Sequence, residues 1–162
     1  MTDRTLSLPL PDAAATDRLG RWLAGRLGAG DVVLLSGPIG AGKTHLARAL
    51  IQARLAAQGL HEDVPSPTFT LVQSYEAGGL TIWHADLYRL SHPDELAELG
   101  LEEAIGTALC LIEWPDRMGA ATPTDALHVK LSADGEGRRA AFAGGPKWAG
   151  LLAALEEEGF DD

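Results

Sequence analysis

Two stretches of the chain are apolar at every position, Val32-Val33-Leu34-Leu35 and Leu109-Cys110-Leu111-Ile112. A strand that hides one face alternates, whereas one that is apolar throughout is covered on both faces, the pattern of a parallel sheet. The two runs are therefore expected side by side, as strands 32–36 and 109–112. Helical spacing governs other segments. Residues 12–28 place Ala15, Leu19, Trp22, Leu23 and Leu27 on one face, with Asp12 as N-cap and Gly28 and Gly30 as the stop. Residues 45–58 repeat the pattern with Leu46, Ala47, Leu50, Ile51 and Leu55, and Lys147–Glu158 does so with Trp148, Leu151, Leu152 and Leu155. Short helical pieces are predicted at 93–99 and 101–106, between His92-Pro93 and the stop at Gly100.

Strand patterns account for most of the rest. Thr5–Leu10 alternates loosely and reads as an edge strand ended by Pro11. Leu71–Glu76 and Leu80–Ala85 flank Gly78-Gly79 and read as a hairpin. Ala126–Leu131 and Arg138–Phe142 read as two late strands joined by a turn at Asp134-Gly135. Between these elements, Pro65-Ser66-Pro67-Thr68-Phe69-Thr70 cannot be helical and is expected to be an ordered loop. The expected fold class is α/β, a mostly parallel central sheet with antiparallel additions, flanked by helices. One domain over 1–162 is expected, and its acidic end, Glu156–Glu158 with Asp161-Asp162, reads as a solvated, flexible tail.

Chemistry enters at the end of the first buried strand. Gly37-Pro38-Ile39-Gly40-Ala41-Gly42-Lys43-Thr44 satisfies the phosphate-binding loop pattern, Gly, four residues, Gly-Lys-Thr, at every position. It lies between a buried strand and a helix, the context in which such a loop works, and makes the expected fold that of a P-loop NTPase. Glycines let consecutive backbone N–H groups converge on an anion, and the helix N-terminus adds partial positive charge. Gly37, Gly40, Ala41, Gly42, Lys43, Thr44 and His45 are the expected phosphate-binding residues. Lys43 can reach the terminal phosphates, and the Thr44 hydroxyl can ligate Mg2+.

Charge narrows the partners. The chain of 162 residues carries 13 Lys and Arg against 23 Asp and Glu, a net charge of −10. Unaided binding to nucleic acid, which neutralises phosphates with a basic face, is disfavoured; binding to a protein is not. The single cysteine, Cys110, excludes an internal disulfide and sits in an apolar run, as a small buried hydrophobe would. With no signal-peptide pattern and no apolar run of membrane-spanning length, a cytoplasmic protein without membrane contact is expected.

A nucleotide hydrolase also needs carboxylates for magnesium and for the attacking water. Two acids stand at predicted strand ends, where doubly wound sheets assemble their sites. Glu113 follows the second apolar run and Asp86 ends the hairpin. Which of them holds metal and which orients water stays open at this point. The hydroxyls of Ser66 and Thr68 are candidate contacts to metal or to the γ-phosphate, and the loop carrying them could equally be a stiff connector.

Taken in order, Thr16, Gly40–Thr44, Ser66-Pro-Thr-Phe-Thr-Leu-Val72, Tyr75, His84-x-Asp-Leu-Tyr-Arg-Leu90, Ile112-Glu-Trp-Pro115 and Arg138 closely resemble the bacterial TsaE (formerly YjeE) ATPase family, over roughly residues 5 to 143. The resemblance implies a role in forming N6-threonylcarbamoyladenosine beside the anticodon of tRNAs that read codons starting with A. It implies ATP hydrolysis on a TsaB–TsaD heterodimer, with tRNA met only through those partners. It maps the catalytic roles onto Lys43, Asp86 and Glu113, and the magnesium site onto Thr44, Asp86 and Glu113. It sets Trp114 near the nucleotide and has Thr16 and Arg138 help hold it. The sequence departs from the family pattern at Pro38-Ile39, where Asp-Leu is common, and at His45 and Ala85, which stand for Thr and Phe. Pro38 has no N–H to offer a phosphate.

Two other readings compete. A small-molecule P-loop kinase would need an arginine-bearing lid, for which only Arg138-Arg139 could serve. A nucleotide-gated assembly protein would turn over ATP only incidentally. A GTPase is disfavoured, because guanine selection uses an Asn-Lys-x-Asp string and the chain contains no asparagine.

Overall fold

The computed structural model describes residues 4–159. Seven strands among them form one mixed sheet, in the order β1-β7-β6-β2-β5-β4-β3. These are β1 (Arg4–Leu10), β2 (Val32–Ser36), β3 (Val72–Ala77), β4 (Leu80–Asp86), β5 (Leu109–Glu113), β6 (Leu127–Asp134) and β7 (Gly137–Gly144). The two wholly apolar runs are adjacent and parallel, with Val32 opposite Cys110 and Leu34 opposite Ile112. β6 adds in parallel to β2, and β4 to β5, so the sheet has a parallel centre of four strands. Antiparallel strands complete both sides: β7 and then β1 beyond β6, and β3 beyond β4.

Alternation along the central strands divides the core in two. Val33, Leu35, Leu109 and Leu111 join one cluster with α1 (Ala13–Ala24), α2 (Lys43–Ala57) and α5 (Ala149–Glu158). Val32, Leu34, Cys110 and Ile112 face the other way, into a smaller cluster with Leu96 of α3 (Glu95–Leu99), Leu101 and Ala104 of α4 (Leu101–Ala104), and Met118. Cys110 is fully buried, and burial pushes its thiol up to about 12. It packs as an inert hydrophobe.

Helix boundaries differ from those predicted. Asp12 does cap α1, accepting from the Ala15 N–H at 2.8 Å. The helix ends at Ala24, four residues early, because Arg54 reaches over from α2 and donates to the carbonyls of Ala24 and Leu27 at 2.7 and 3.1 Å. A cation at a helix C-terminus satisfies free carbonyls and opposes the dipole. α2 starts at Lys43, two residues early, directly at the glycine loop. A 3-10 segment at Pro115–Ala121, foreseen by no periodicity, carries the chain away from β5, and another at Pro146–Trp148 precedes α5. Glu156, Glu157 and Glu158 are exposed but helical, and Arg4 pairs with Glu156 at 3.2 Å. Asp161 and Asp162 lie outside the described residues.

α1 and α2 pack so closely that Gly20 has no room for a side chain. A Cβ there would sit 2.6 Å from the Ala49 Cβ and 3.0 Å from the Leu50 nitrogen. In an open helix, Gly→Ala gains roughly 1 kcal/mol. Here Gly20→Ala is expected to destabilise by about 1–3 kcal/mol through overpacking, with part of the loss recovered by adding Ala49→Gly. Urea denaturation of the three proteins measures this, and a stabilised Gly20→Ala would contradict the close approach.

Candidate functional site

The carboxyl ends of β2, β5 and β4 lie side by side, and β5 and β4 each deliver a carboxylate to the same face. Asp86 and Glu113 are paired in register as the last residues of β4 and β5. Both share strand parity with the residues packed beneath α2, Ile82 on β4 and Leu109 and Leu111 on β5, so both carboxylates turn towards the start of that helix. The loop that enters α2 begins at Gly37, which has φ 136° and where a Cβ would lie 2.2 Å from the Leu131 carbonyl oxygen. Only glycine fits there.

At the mouth of this arrangement is a cleft of about 510 Å³. Ten predicted site residues line it: Gly40, Gly42, Lys43, Thr44, His45, Thr68, Asp86, Glu113, Trp114 and Arg138. Ile39 and Tyr88 line it as well. Thr16 instead lines an adjoining hollow of about 220 Å³, which shares Gly42, His45 and Arg138 with the cleft. Three predicted residues do not line either space. Gly37 contributes a carbonyl that accepts from Lys43, Ala41 is buried in the core with its N–H donated to Pro38, and Ser66 is exposed and bonded to Thr68.

Lys43 is 5% exposed, and its ammonium donates to the carbonyls of Gly37 and Pro38 at 2.6 and 2.9 Å. It also lies 4.3 Å from the centre of the Trp114 ring, a cation–π contact. Burial holds its pKa below the usual lysine value, against the opposing pull of Glu113 and Asp86. Glu113, 2% exposed, accepts from the Thr44 hydroxyl at 2.9 Å on each oxygen and is 2.7 Å from His84 Nε2. Asp86 accepts from the Thr68 hydroxyl at 3.2 Å and from the Tyr88 N–H at 3.0 Å. The two acids thus have different immediate partners, Glu113 the phosphate loop and Asp86 the Pro65–Thr70 loop. Arg138 donates to the Gly40 carbonyl at 3.0 Å, and His45 contacts Asp17 at 2.7 Å.

Two residues hold costly conformations beside the cleft. Trp114 is left-handed at φ 58°, ψ 53°, and Leu71 has φ 68°. For a bulky residue, and more so for one that precedes a proline, that conformation costs about 1–3 kcal/mol. At Trp114 it turns the indole towards Lys43 and to 4.9 Å from the Tyr88 ring.

The donors suit a hard cation. Thr44, Asp86 and Glu113 present oxygen only, and no group of three or more His, Cys, Asp or Glu among the described residues forms a complete metal cage. Magnesium fits such a partial set, since it takes one or two protein oxygens and completes its shell with phosphate and water.

A family model for threonylcarbamoyl adenosine biosynthesis protein TsaE matches residues 10–141. The chain belongs to the TsaE family. A tRNA threonylcarbamoyladenosine biosynthesis protein TsaE from Rickettsia conorii is 42% identical over 118 residues, 73% of this chain and 66% of that protein, just under two thirds of its length. The TsaE protein of Rickettsia felis is 39% identical over 132 residues, 82% of this chain and 75% of the relative. The crystal structure of Bacillus subtilus YdiB superimposes with a TM-score of 0.74 over 95% of both chains, and at 24% identity that likeness is one of fold. Family membership sets this chain in threonylcarbamoyladenosine biosynthesis.

Sequence reasoning gave no role to His84, Tyr88 or Ile39. For His84 a signal was available: it stands two residues before Asp86 on a strand, hence on the same face, and is a polar residue in an apolar setting. Thr44→Val keeps the side-chain shape but takes a donor from the buried Glu113 carboxylate. A loss of about 1–3 kcal/mol is expected, read by urea denaturation without nucleotide; wild-type stability would show that the hydrogen bond contributes nothing.

Proposed function

We propose that this TsaE family member binds and hydrolyses ATP with Mg2+, in support of a TsaB–TsaD complex that modifies tRNA. The observation carrying the proposal is the convergence of Lys43, Thr44, Asp86 and Glu113 on one cleft, at the loop entering α2. Free backbone N–H groups of the loop and of the first turn of α2 receive the phosphates, and the Lys43 ammonium exchanges its two loop carbonyls for phosphate oxygens. The adjoining hollow at Thr16 and Arg138 offers space for the ribose and base. Thr44, Asp86 and Glu113 would hold magnesium, which when bound would supply charge to offset that developing on the phosphates. Thr44 would hold it through an oxygen lone pair while its O–H still donates to Glu113, and Asp86, which accepts from Thr68, would be the other acid at the site.

Lys43→Ala should weaken ATP binding about ten- to a hundredfold, as expected for removing a charge-assisted contact to phosphate. Glu113→Gln should still bind ATP while turnover falls about a hundredfold or more. Calorimetry with magnesium and a steady-state phosphate-release assay separate the two effects. Unchanged affinity in the first variant, or wild-type turnover in the second, would remove the assignment.

The partner is proposed on two grounds. Arg89, the arginine of the 84–90 string, lies over the Phe69 ring at 4.5 Å, and Arg138 donates to the carbonyls of Gly40 in the loop and Gly137 on its own strand. Neither lies against the Lys43–Glu113 pair, and in P-loop enzymes an arginine supplied in trans is worth about 10³–10⁵ in rate. The net charge of −10 in turn leaves tRNA contact to other subunits. Turnover is therefore expected to be slow alone and to rise with the TsaB–TsaD heterodimer but not with unrelated proteins. A fast rate without partners would overturn this part.

A further inference from the structure

His84 is fully buried, its Nε2 lies 2.7 Å from Glu113 Oε2, and its Nδ1 has no hydrogen-bond partner among the described residues. A histidine placed only to fill the core would not need its ring nitrogen on a carboxylate that also meets the phosphate loop. The ring chemistry restricts how it can act. Of its two nitrogens, only Nε2 faces an acceptor, and a proton on Nδ1 would be a buried N–H with nothing to receive it. The proton therefore belongs on Nε2, donated to Glu113. The lone pair left bare on Nδ1 is the lesser cost, since acceptors go unpaired more readily than donors.

We propose that His84 is a positioning residue for the proposed ATPase, acting as the Nε2–H tautomer to fix the rotamer of Glu113. Glu113 Oε2 receives His84 from the interior side, and the Thr44 hydroxyl donates to the carboxylate from the loop side. Two donors on different sides leave the carboxylate one orientation. Strand register supplies the geometry: Asp86 pairs with Glu113 and His84 with Leu111, so His84 is the diagonal neighbour of Glu113 on the same face. One strand thus carries Asp86 into the cleft and, two residues earlier, the donor that aims the other acid. His84 touches no substrate and moves no proton. Its effect passes through Glu113.

The inference rests on the ATPase reading for its kinetic arm only. Long-range 1H–15N correlation of the labelled protein reads the tautomer directly, with the His84 signal assigned by its loss in His84→Gln. An Nε2–H pattern is expected, and an Nδ1–H pattern overturns the proposal whether or not the protein hydrolyses ATP. Kinetically, His84→Leu removes the donor at similar volume and should lower kcat about ten- to a hundredfold, the scale for removing an outer partner of a site ligand, with KM and ATP affinity changed less than about threefold. His84→Gln returns a donor near the Nε2 position and should recover most of that loss. In a Glu113→Gln background, His84→Leu should add almost nothing, because residues acting as a unit are not additive. Should His84→Leu fail to fold, His84→Asn, polar but too short to reach, takes its place against His84→Gln. Equal rates in the reaching and non-reaching variants, a kcat equal to wild type without the donor, or additive losses with Glu113→Gln would each overturn the proposal. A wild-type protein that gives the Nε2–H signal but no hydrolysis would instead remove the ATPase reading and leave the tautomer and its contact standing.

Discussion

A lysine with 5% of its surface exposed is the constraint from which much of the site follows. Lys43 can be held there only because the ends of β4 and β5 bring two carboxylates towards it and the loop bends two carbonyls onto its hydrogens. Glu113 must in turn be satisfied, and Thr44 and His84 do this from either side. Asp86 is satisfied by Thr68 and by the N–H of Tyr88. The parallel register of β4 and β5 thus serves as an electrostatic requirement as much as a packing one. A slip of one residue would turn Asp86 or Glu113 into the apolar cluster on the other face.

Strain gathers at the same end of the sheet. Trp114 and Leu71 are the two non-glycine residues with positive φ among those described, and they stand where the chain leaves β5 and where it enters β3. The Leu71 carbonyl accepts from the Asp86 N–H at 2.8 Å, while its own N–H is donated to Pro67 at 2.7 Å. The proline loop is therefore tied by backbone hydrogen bonds to one of the two acids. Thr68 adds a side-chain tie to the same carboxylate. Asp86 is thus held by the loop through both its backbone and its side chain.

What was legible in the sequence was what local pattern determines. The all-apolar runs marked the parallel centre, the Gly78-Gly79 pair and Asp134-Gly135 marked the hairpins, and the glycine loop marked the cleft. Features set by distant residues were hidden. The early end of α1 depends on Arg54, some thirty positions further on, and the tight crossing at Gly20 depends on Ala49. Two prolines marked Pro65–Thr70 as non-helical, but its bond to Asp86 is a tertiary fact. His84 was visible inside a motif, yet its meaning appears only when β4 lies beside β5 in register. The different hydrogen-bond partners of the two acids are likewise a matter of side-chain geometry.

The sheet also sets an order of events during synthesis. β1, made before the other six described strands, pairs with β7 alone among them, from Arg4 opposite Gly144 to Leu10 opposite Arg138. Until residues 137–144 leave the ribosome, residues 4–10 have no neighbouring strand in the native sheet, a wait on the order of ten seconds at ordinary elongation rates. Arg138, which lines both the cleft and the adjoining hollow, arrives on that same late strand. A nascent chain can therefore form the phosphate loop, α2 and both acid-bearing strands well before the wall beside Thr16 exists. Its cleft is finished by the same pairing that closes the sheet.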